Sequence, residues 1–508
     1  MTTARKRPKN ILFLWTDQQR PDTIAAYGNP EIQTPHLDRL AGTGALFQAA
    51  YCAQPVCSPA RASVLTGLYP HTHGVVGNSI PLPARATTLA EMLRPDGYVC
   101  GYVGKWHLGS EHAAQRGFED FWSSTENYRG GYAEGDPTAK NLSTYQQWLI
   151  ERGALAPETA AALGRPQAAA LPEEFGKPAF QASECLRFLN TFGDRPFLLM
   201  CNFLEPHPPV NGPFDGMYRP EDMTLPPSWY REMEPTVPLR IRRRRDDPLE
   251  NEAHYRHLKS NDEWGWKELK ARYWGLCTLV DKYVGHVLDH LEALNLASDT
   301  IVVHSADHGD MMGEHRLLNK GLQYEGSARV PLLMRVPGLG PQRIATPVSQ
   351  VDLVPTLLEL LEQPAAEGTH GTSRVPLLRG GDRDPESAEV AVEWNGYDNY
   401  PAAYRQNAER AESRDPGLRW QLPEVRTIIR GHWKLNVHLS GEHELYDLRS
   451  DPGELHNAYH DAGHQPVVTD LWERLRAWQQ ATADPLVLPE PTVTADSLGL
   501  SPPRGAAR

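Results

Sequence analysis

Four short apolar runs, each followed closely by a polar residue, constrain the fold of this chain more than any other feature. The runs are Asn10–Thr16, Tyr98–Val103, Phe197–Phe203 and Thr300–His304. A continuous apolar run of this length is typical of a strand buried on both faces, as in a parallel sheet. Between the runs lie helical stretches, and Glu268–Leu294 shows the clearest helical spacing of apolar residues.

This alternation predicts an α/β fold in which a large, mostly parallel sheet is sandwiched by helices. In such sheets the side chains just beyond the carboxyl ends of the strands form the binding crevice. Asp17, Lys105, His207 and Asp307 each follow one of the apolar runs. We therefore expect these four side chains to converge at one edge of the sheet.

A smaller second domain is expected towards the C-terminus. From Glu367 to Pro385 the chain is rich in Gly, Arg and Pro, which is typical of a passage between domains. Short alternating segments at Ala388–Val392 and Thr427–Val437, followed by a helix over Val468–Ala481, predict an α+β unit with an antiparallel sheet. We predict a catalytic domain over residues 1–375, a C-terminal domain over 376–483 and an extended tail over 484–508.

Composition narrows the classes of partner. The net charge of −13 over 508 residues argues against a nucleic-acid partner and gives no support to binding an anionic membrane. No stretch is long enough to cross a bilayer, and Met1–Asn10 does not have the features of a signal peptide. The six cysteines are scattered and form no CxxC pair, so we expect a cytoplasmic protein without structural zinc. The sequence leaves a homo-oligomer open.

The segment Cys57–Gly67, which reads CSPARASVLTG, is the most specific motif of the chain. It resembles the signature of the type I, formylglycine-dependent sulfatases of the alkaline phosphatase superfamily: Cys or Ser, any residue, Pro, any residue, Arg, and a tail ending in Thr-Gly. On its first five residues alone, a buried cysteine before a proline-started helix would fit as well. Further matches are TPHLDRLA at Thr34, the His-Gly at His73, GEH at Gly313 and LYDLRSDPGE at Leu445, so the resemblance extends from Asn10 to Asn457.

The resemblance implies an alkaline-phosphatase-like fold and a sulfuric ester hydrolase activity. In that family a formylglycine-generating enzyme converts the cysteine to formylglycine during maturation. One hydroxyl of the hydrated aldehyde attacks the sulfur of a sulfate monoester, and deprotonation of the other expels sulfate from the covalent sulfated intermediate. One difficult step is thereby divided into two easier ones. Cys57 would be the nucleophile.

Two residue pairs resemble the metal ligands of the family. They are Asp17-Gln18 and Asp307-His308, which would bind one divalent metal together with residue 57. Oxygen donors with one imidazole favour calcium and leave manganese or zinc open. The commoner family pattern has two acidic residues in the first pair and Asp-Asn in the second. Gln18 and His308 depart from it, as in some sulfatases and the related phosphonate monoester hydrolases, and this leaves the identity of the metal open.

Five further residues match the polar groups of the family's pocket. The resemblance implies that Arg61 and Lys105 hold the formylglycine diol and that His107 removes the proton whose loss expels sulfate. His207 and Lys320 match the pair that clamps the sulfate group, one of which protonates the leaving alcohol.

Three features near these motifs have roles that the sequence does not decide. Asn78 is a candidate substrate residue, because related enzymes have an asparagine there near the transferred group. The arginine run Arg240–Arg245 would either meet an anionic substrate at the pocket rim or form a solvated loop. Trp394, Tyr397 and Tyr400 would either wall a sugar or aryl pocket or pack between the domains.

Two other functions compete with a sulfatase that cleaves a small-molecule or saccharide sulfate ester. A phosphonate monoester hydrolase or phosphodiesterase of the same superfamily shares the fold, the formylglycine and the metal pairs. It carries Tyr and Thr where this chain has Lys105 and His107, and the Lys-x-His form favours sulfate monoesters. A binding protein without activity would have lost a nucleophile, metal or clamp residue, and none is missing here. Nothing indicates whether the alcohol is a sugar, an aryl group or an alkyl group.

Overall fold

The computed structural model describes residues 9–125, 141–245, 261–381, 383–396 and 423–489. The strands in these ranges are β1 (Asn10–Asp17), β2 (Ala45–Phe47), β3 (Ala50–Tyr51), β4 (Val99–Gly104), β5 (Asp120–Ser123), β6 (Phe197–Pro206), β7 (Thr300–Ala306), β8 (Arg329–Val330), β9 (Leu332–Arg335), β10 (Gln342–Ile344), β11 (Val348–Ser349), β12 (Glu389–Trp394), β13 (Val425–Arg430), β14 (Trp433–His438) and β15 (Glu444–Asp447). The α-helices are α1 (Pro35–Thr43), α2 (Cys57–Thr66), α3 (Pro70–His73), α4 (Leu89–Leu93), α5 (Thr144–Glu151), α6 (Pro157–Ala160), α7 (Arg165–Ala169), α8 (Lys177–Phe192), α9 (Leu239–Arg245), α10 (Glu263–Ala293), α11 (Glu325–Ala328), α12 (Leu353–Leu360), α13 (Val375–Leu378) and α14 (Gln465–Thr482).

The main sheet has eight strands in the order β10-β2-β9-β7-β1-β6-β4-β5. Strand β1 lies near its centre and runs parallel to both neighbours, β6 and β7. Strand β9 runs antiparallel to β2 and β7. The prediction of a large, mostly parallel sheet is confirmed, and the four apolar runs are β1, β4, β6 and β7.

Both faces of the main sheet are covered. Ile11, Phe13 and Trp15 of β1 join one apolar cluster, while Leu12 and Leu14 join the cluster on the opposite face. Helices α8 and α10 contribute to the second of these clusters, and α2 and α12 contribute to the first. Every residue of β1 is buried, which explains why the strand is continuously apolar in sequence.

A smaller antiparallel sheet follows, with the order β12-β13-β14-β15. Helix α14 packs on it through an apolar cluster that includes Leu435 and Leu475. The segment Thr427–Val437, which the sequence presents as one stretch, is a hairpin, because Gly431 adopts a φ of +59° between β13 and β14. The predicted antiparallel C-terminal unit is therefore confirmed as part of the fold, and the exact domain boundaries stay a prediction.

A third apolar cluster joins the two sheets next to the carboxyl edge of the main sheet. It combines Val56 and Met311 of the catalytic part with Trp394 and Tyr446 of the C-terminal sheet. Trp394 is 1% exposed and packs inside this cluster, so it belongs to the packing between the two parts. Tyr397, Tyr400 and the residues of the tail beyond 489 lie outside the described residues.

No helix in the described ranges combines the length and the apolar character that crossing a membrane requires.

Candidate active site

The carboxyl ends of β1 and β7 bring two aspartates together. Asp17 is the last residue of β1 and Asp307 directly follows β7. Their ligand atoms and those of Cys57 and His308 all lie within 4.8 Å of one another, and all four residues are buried. Sγ of Cys57 lies 3.2 Å from Nε2 of His308 and 3.8 Å from Oδ1 of Asp17. The fold thus assembles the four residues that the sequence motifs had singled out separately.

The first turn of α2 fixes the position of Cys57. The backbone N–H of Ser58 donates to Oδ1 of Asn78 at 3.1 Å, and the Ser58 hydroxyl donates to the carbonyl of His107 at 2.7 Å. All ten residues of α2 are buried. Asn78 therefore contacts the backbone one residue away from Cys57, and its predicted contact with substrate stays a prediction.

Arg61, one helical turn beyond Cys57, links the two aspartates. Its Nη2 lies 2.8 Å from Oδ2 of Asp17 and 2.9 Å from Oδ2 of Asp307. Its Nη1 donates to the carbonyl of Lys105 at 2.6 Å. The Lys105 ammonium in turn lies 2.6 Å from Oδ2 of Asp17. Two buried cations and two buried carboxylates thus alternate beside Cys57.

These charges shift the pKa values of the site. Burial and Asp17 raise the pKa of the Cys57 thiol, but Lys105, Lys320 and His308 outweigh them and lower it. For Asp17, burial also raises the pKa, and the surrounding cations, led by Lys105, hold it well below the usual range. The site therefore stabilises negative charge at both residue 57 and Asp17.

Two histidines of the site are neutral near neutral pH. Burial, and then the positive charges of Lys105 and Arg61, hold the pKa of His107 well below its usual value. Burial and then Lys320 do the same for His207, which follows β6. A neutral His107 ring has a nitrogen lone pair that can accept a proton, as an eliminating base requires.

The tautomer of His207 follows from its surroundings. Its Nδ1 lies 2.8 Å from the carbonyl oxygen of Pro208, which only accepts hydrogen bonds. Nη1 of Arg165, which only donates, lies farther from the same nitrogen, at 3.5 Å, so we assign the hydrogen of the neutral ring to Nδ1 and the lone pair to Nε2.

Gln18 and Lys320 contact each other at the edge of the site. The Lys320 ammonium donates to the side-chain oxygen of Gln18, and the Gln18 amide nitrogen donates to Asp310. The same nitrogen lies 3.4 Å from Oδ1 of Asn319. The role of Gln18 as a metal ligand, predicted from the sequence, stays a prediction, since its amide oxygen is here bonded to Lys320.

The donors around Cys57 fit a divalent cation. Two carboxylates, one imidazole and residue 57 point their ligand atoms at one another from four places in the chain. Carboxylate oxygens suit calcium or manganese, and an imidazole extends the range to zinc. The identity of the metal stays a prediction.

Sequence reasoning missed four residues that border this site. Asn202 accepts from Arg61 at 2.9 Å, and its signal was a polar residue within the apolar run of β6. Asp310, three residues beyond Asp307, accepts from Gln18. Glu111 accepts from the backbone N–H of His107 at 2.6 Å. Nη1 of Arg165 lies 3.5 Å from Nδ1 of His207, and nothing in the sequence indicated this contact.

Two family models match the chain. One, described as Sulfatase, matches residues 9–363. The other, described as N-sulphoglucosamine sulphohydrolase, C-terminal, matches residues 313–415. The first covers more than half of the chain and contains every candidate site residue named above.

Similar proteins cover most of the chain. An ulvan-active sulfatase of Formosa agariphila is 31% identical over 77% of this chain and 70% of that protein. A multifunctional alkaline phosphatase superfamily protein, PehA of Trinickia caryophylli, is 26% identical over 94% of this chain and 96% of that protein. The crystal structure of a phosphonate monoester hydrolase of Agrobacterium radiobacter superposes with a TM-score of 0.76 and 26% identity, over 94% and 96% of the two chains.

Proposed function

This chain belongs to the sulfatase family, and we propose that it hydrolyses a sulfate monoester with formylglycine, formed from Cys57, as its nucleophile. Sulfate ester hydrolysis is the activity that the family supports. The observation that carries the proposal is the cluster of Cys57, Asp17, Asp307 and His308 within 4.8 Å. Arg61 and Lys105 add positive charge beside it.

The modification explains why a cysteine stands at this position. As an aldehyde hydrate, residue 57 would supply one hydroxyl for attack on sulfur and a second whose deprotonation releases sulfate. A formylglycine-generating enzyme is therefore a required partner during maturation. A divalent metal held by the two aspartates and His308 would polarise a sulfate oxygen and lower the pKa of the diol.

The remaining residues divide the proton transfers and the charge stabilisation. Arg61 and Lys105 orient and stabilise the oxygens of residue 57 as charge develops there. His107, neutral and buried, takes the proton of the second hydroxyl, which drives sulfate out and restores the aldehyde; water then regenerates the diol. Lys320 donates a proton to the oxygen of the leaving alcohol, so that the alcohol departs neutral.

A second candidate is supported by the likeness to the phosphonate monoester hydrolase. That function would use the same nucleophile and the same metal donors. We place sulfate monoesters first because Lys105 and His107 occupy the positions that differ in that subgroup. Weaker activity on aryl phosphonates or phosphate diesters is compatible with the proposal.

The ratio of kcat/KM for a matched aryl sulfate and aryl phosphonate monoester tests the proposal. We expect sulfate to be preferred, reversible inactivation by a chelator, and restoration by calcium or manganese. A preference for phosphonate would replace the proposed function by the second candidate. Full activity in protein verified to be free of metal would contradict the mechanism behind both.

The modification is tested separately by mass spectrometry. After expression with a formylglycine-generating enzyme, the peptide that contains Cys57 should be lighter than its thiol form by about 18 Da, the difference between thiol and aldehyde, the precursor of the nucleophile. Cys57→Ala should lose turnover and keep its fold. Cys52→Ala, at a buried cysteine five positions away, is the matched control and should keep its turnover. Turnover by the Cys57 variant would end the hypothesis.

A further inference from the structure

The segment that carries Lys320 is attached to helix α9 through one arginine. Nη2 of Arg244 donates to the carbonyl of Lys320 at 2.8 Å and to the carbonyl of Leu318 at 3.3 Å. We propose that Arg244 is a positioning residue that holds this segment, the Lys320 loop (residues 317–321), so that the Lys320 ammonium faces the oxygen of the leaving alcohol. The inference rests on the role of Lys320 in the proposed function.

On its inner side, the Lys320 loop is bonded to the rest of the active site. The backbone N–H of Asn319 donates to Oδ1 of Asp310 at 3.1 Å, and the N–H of Met311 donates to the carbonyl of Asn319 at 2.8 Å. The N–H of Gly321 donates to the carbonyl of Pro55, two residues before the nucleophile, at 3.0 Å. These bonds connect the loop to the segments of both Asp307 and Cys57.

The Lys320 loop adopts a backbone conformation that its contacts help to hold. Asn319 has a φ of +64° and Gly321 a φ of +88°, so Lys320 lies between two residues in the left-handed region. Asparagine tolerates this conformation better than most residues, but it remains less favourable than the right-handed one, so neighbouring contacts stabilise it. Arg244 bonds the two carbonyls at residues 318 and 320, on either side of Asn319.

An arginine suits this task better than a lysine. Both bonds come from one nitrogen, Nη2, and the planar guanidinium fixes the directions of its two hydrogens, whereas an ammonium group rotates freely at the end of its stem. Two other arginines of α9 also bond protein groups: Arg242 donates to the carbonyl of Val237, and Arg245 pairs with Glu232. These contacts favour a supporting role for the helix over capture of an anionic substrate.

Loss of the support should affect the transition state more than the binding of substrate. Lys320 is held at its far end by Gln18, whose oxygen accepts from the ammonium. If the loop relaxes, the ammonium loses its fixed distance from the leaving oxygen, and an ester with a poor leaving group depends most on that proton. An activated ester such as 4-nitrophenyl sulfate needs the proton least.

A double-mutant cycle tests the proposal. Arg244→Gln should lower kcat on a poor leaving group about 10–100-fold, a part of the roughly 10²–10⁴-fold that a positioned acid supplies. KM and the turnover of 4-nitrophenyl sulfate should change little. The kcat of Arg244→Lys on the poor leaving group should lie between those of the unaltered protein and of Arg244→Gln. On the poor leaving group, the kcat of the double variant Lys320→Ala/Arg244→Gln should be no lower than that of Lys320→Ala alone, because Arg244 acts through Lys320.

Arg242→Gln is the matched control, since it removes the same charge from the same helix. It should leave the leaving-group dependence unchanged. Two results would overturn the proposal. One is a double variant whose loss of kcat is the product of the two single losses, and the other is an Arg244→Gln variant that loses kcat equally on the poor leaving group and on 4-nitrophenyl sulfate. If the enzyme prefers phosphonates, the cycle is run on aryl phosphonates, so failure of the proposed function is distinguished from failure of this inference.

A readout without turnover completes the test. Calorimetry measures the binding of orthovanadate to the unaltered protein, to Lys320→Ala, to Arg244→Gln and to the double variant. We expect the losses of binding free energy in the two single variants not to add up in the double variant. If Arg244→Gln does not fold, Arg244→Lys takes its place in the cycle. Additive losses in vanadate binding would contradict the inference even where no ester is turned over.

Discussion

The guanidinium of Arg61 lies 2.8 Å from Oδ2 of Asp17, and neither side chain is exposed to solvent. The same nitrogen lies 2.9 Å from Oδ2 of Asp307. Removing one partner of a buried ion pair leaves the other without compensation, at a cost of about 3–5 kcal/mol. Arg61→Gln should therefore destabilise the metal-free protein by an amount in that range, measured by urea unfolding.

A bound dication should compensate for the lost arginine. The carboxylates of Asp17 and Asp307 supply ligand atoms to the proposed metal site. Removing the positive charge of Arg61 beside them therefore raises their attraction for a cation. The gain in Tm on adding calcium or manganese should be larger in Arg61→Gln than in the unaltered protein. Arg374→Gln, which breaks the Arg374–Asp352 pair, is the control, and adding metal should raise its Tm by as much as it raises the Tm of the unaltered protein. An equal gain in both variants would place the metal elsewhere.

Lys320 and His207 should respond differently to the leaving group of the substrate. Because the His207 ring is neutral and we assign its hydrogen to Nδ1, which faces the carbonyl of Pro208, we expect Lys320 and not His207 to supply the proton to the alcohol. Lys320→Ala should lose about 10²–10⁴-fold on a poor leaving group and much less on an activated one. His207→Ala should lower both turnovers by similar factors. Rates for a series of aryl sulfates of graded leaving-group pKa measure this, and a steeper dependence in the His207 variant would reverse the two assignments.

The convergence of Asp17 and Asp307 was predictable because both directly follow buried parallel strands. Neighbouring parallel strands present their carboxyl ends at the same edge, and β1 is paired with β7 over its length. Cys57 and Arg61 could be placed one turn apart because a helix of one motif carries both. Periodicity and motif spacing sufficed for these residues, since regular secondary structure fixes the directions of their side chains.

The contacts of Gln18 and Arg244 could not be predicted in the same way. Gln18 has a φ of +69°, which no sequence pattern indicated, and its amide reaches Asp310 and Lys320. Arg244 bonds carbonyl groups of a loop about 75 positions later in the chain, and any residue supplies a carbonyl. A hydrogen bond to a backbone carbonyl does not depend on which residue supplies that carbonyl. The sequence therefore left the role of the arginine run open.

Lys434 should be essential for the docking of the C-terminal sheet on the catalytic part. Its buried ammonium lies 2.9 Å from Glu325 at the start of α11 and 2.8 Å from Glu454, within the segment LYDLRSDPGE. Lys434→Met would leave two carboxylates without their shared cation, at a cost of about 3–5 kcal/mol in urea unfolding. Neutralising both acids as well, in Lys434→Met/Glu325→Gln/Glu454→Gln, should recover part of that loss.

A surface ion pair provides the control for Lys434. Lys282 is 41% exposed and pairs with Glu173, so Lys282→Met should cost at most about 1 kcal/mol. If the two lysine variants lose equal stability, the buried triad does not hold the C-terminal sheet in place.

Stability should fall in acid because His73 is buried in its neutral form. Its Nε2 lies 3.1 Å from the hydroxyl of Ser63 in α2, its Nδ1 accepts from the N–H of Val75, and burial lowers its pKa to about 3. Burial also lowers the pKa of His304 to about 3. In the unfolded chain a histidine takes up a proton near its usual pKa of about 6.5. Between that value and about 3, the unfolded state binds more protons, so the free energy of unfolding falls as the pH falls.

The size of this effect can be measured for His73 alone. Each neutral buried histidine should cost up to about 1.4 kcal/mol per pH unit below 6.5, or roughly 2 kcal/mol at pH 5. The free energy of unfolding in urea at pH 7 and at pH 5 should therefore differ less in His73→Gln than in the unaltered protein. His286→Gln, at an exposed position of α10, should keep the full difference. A full difference in His73→Gln as well would show that His73 takes up its proton in the folded protein, and that its bond to Ser63 does not hold the ring neutral beside the helix that carries Cys57.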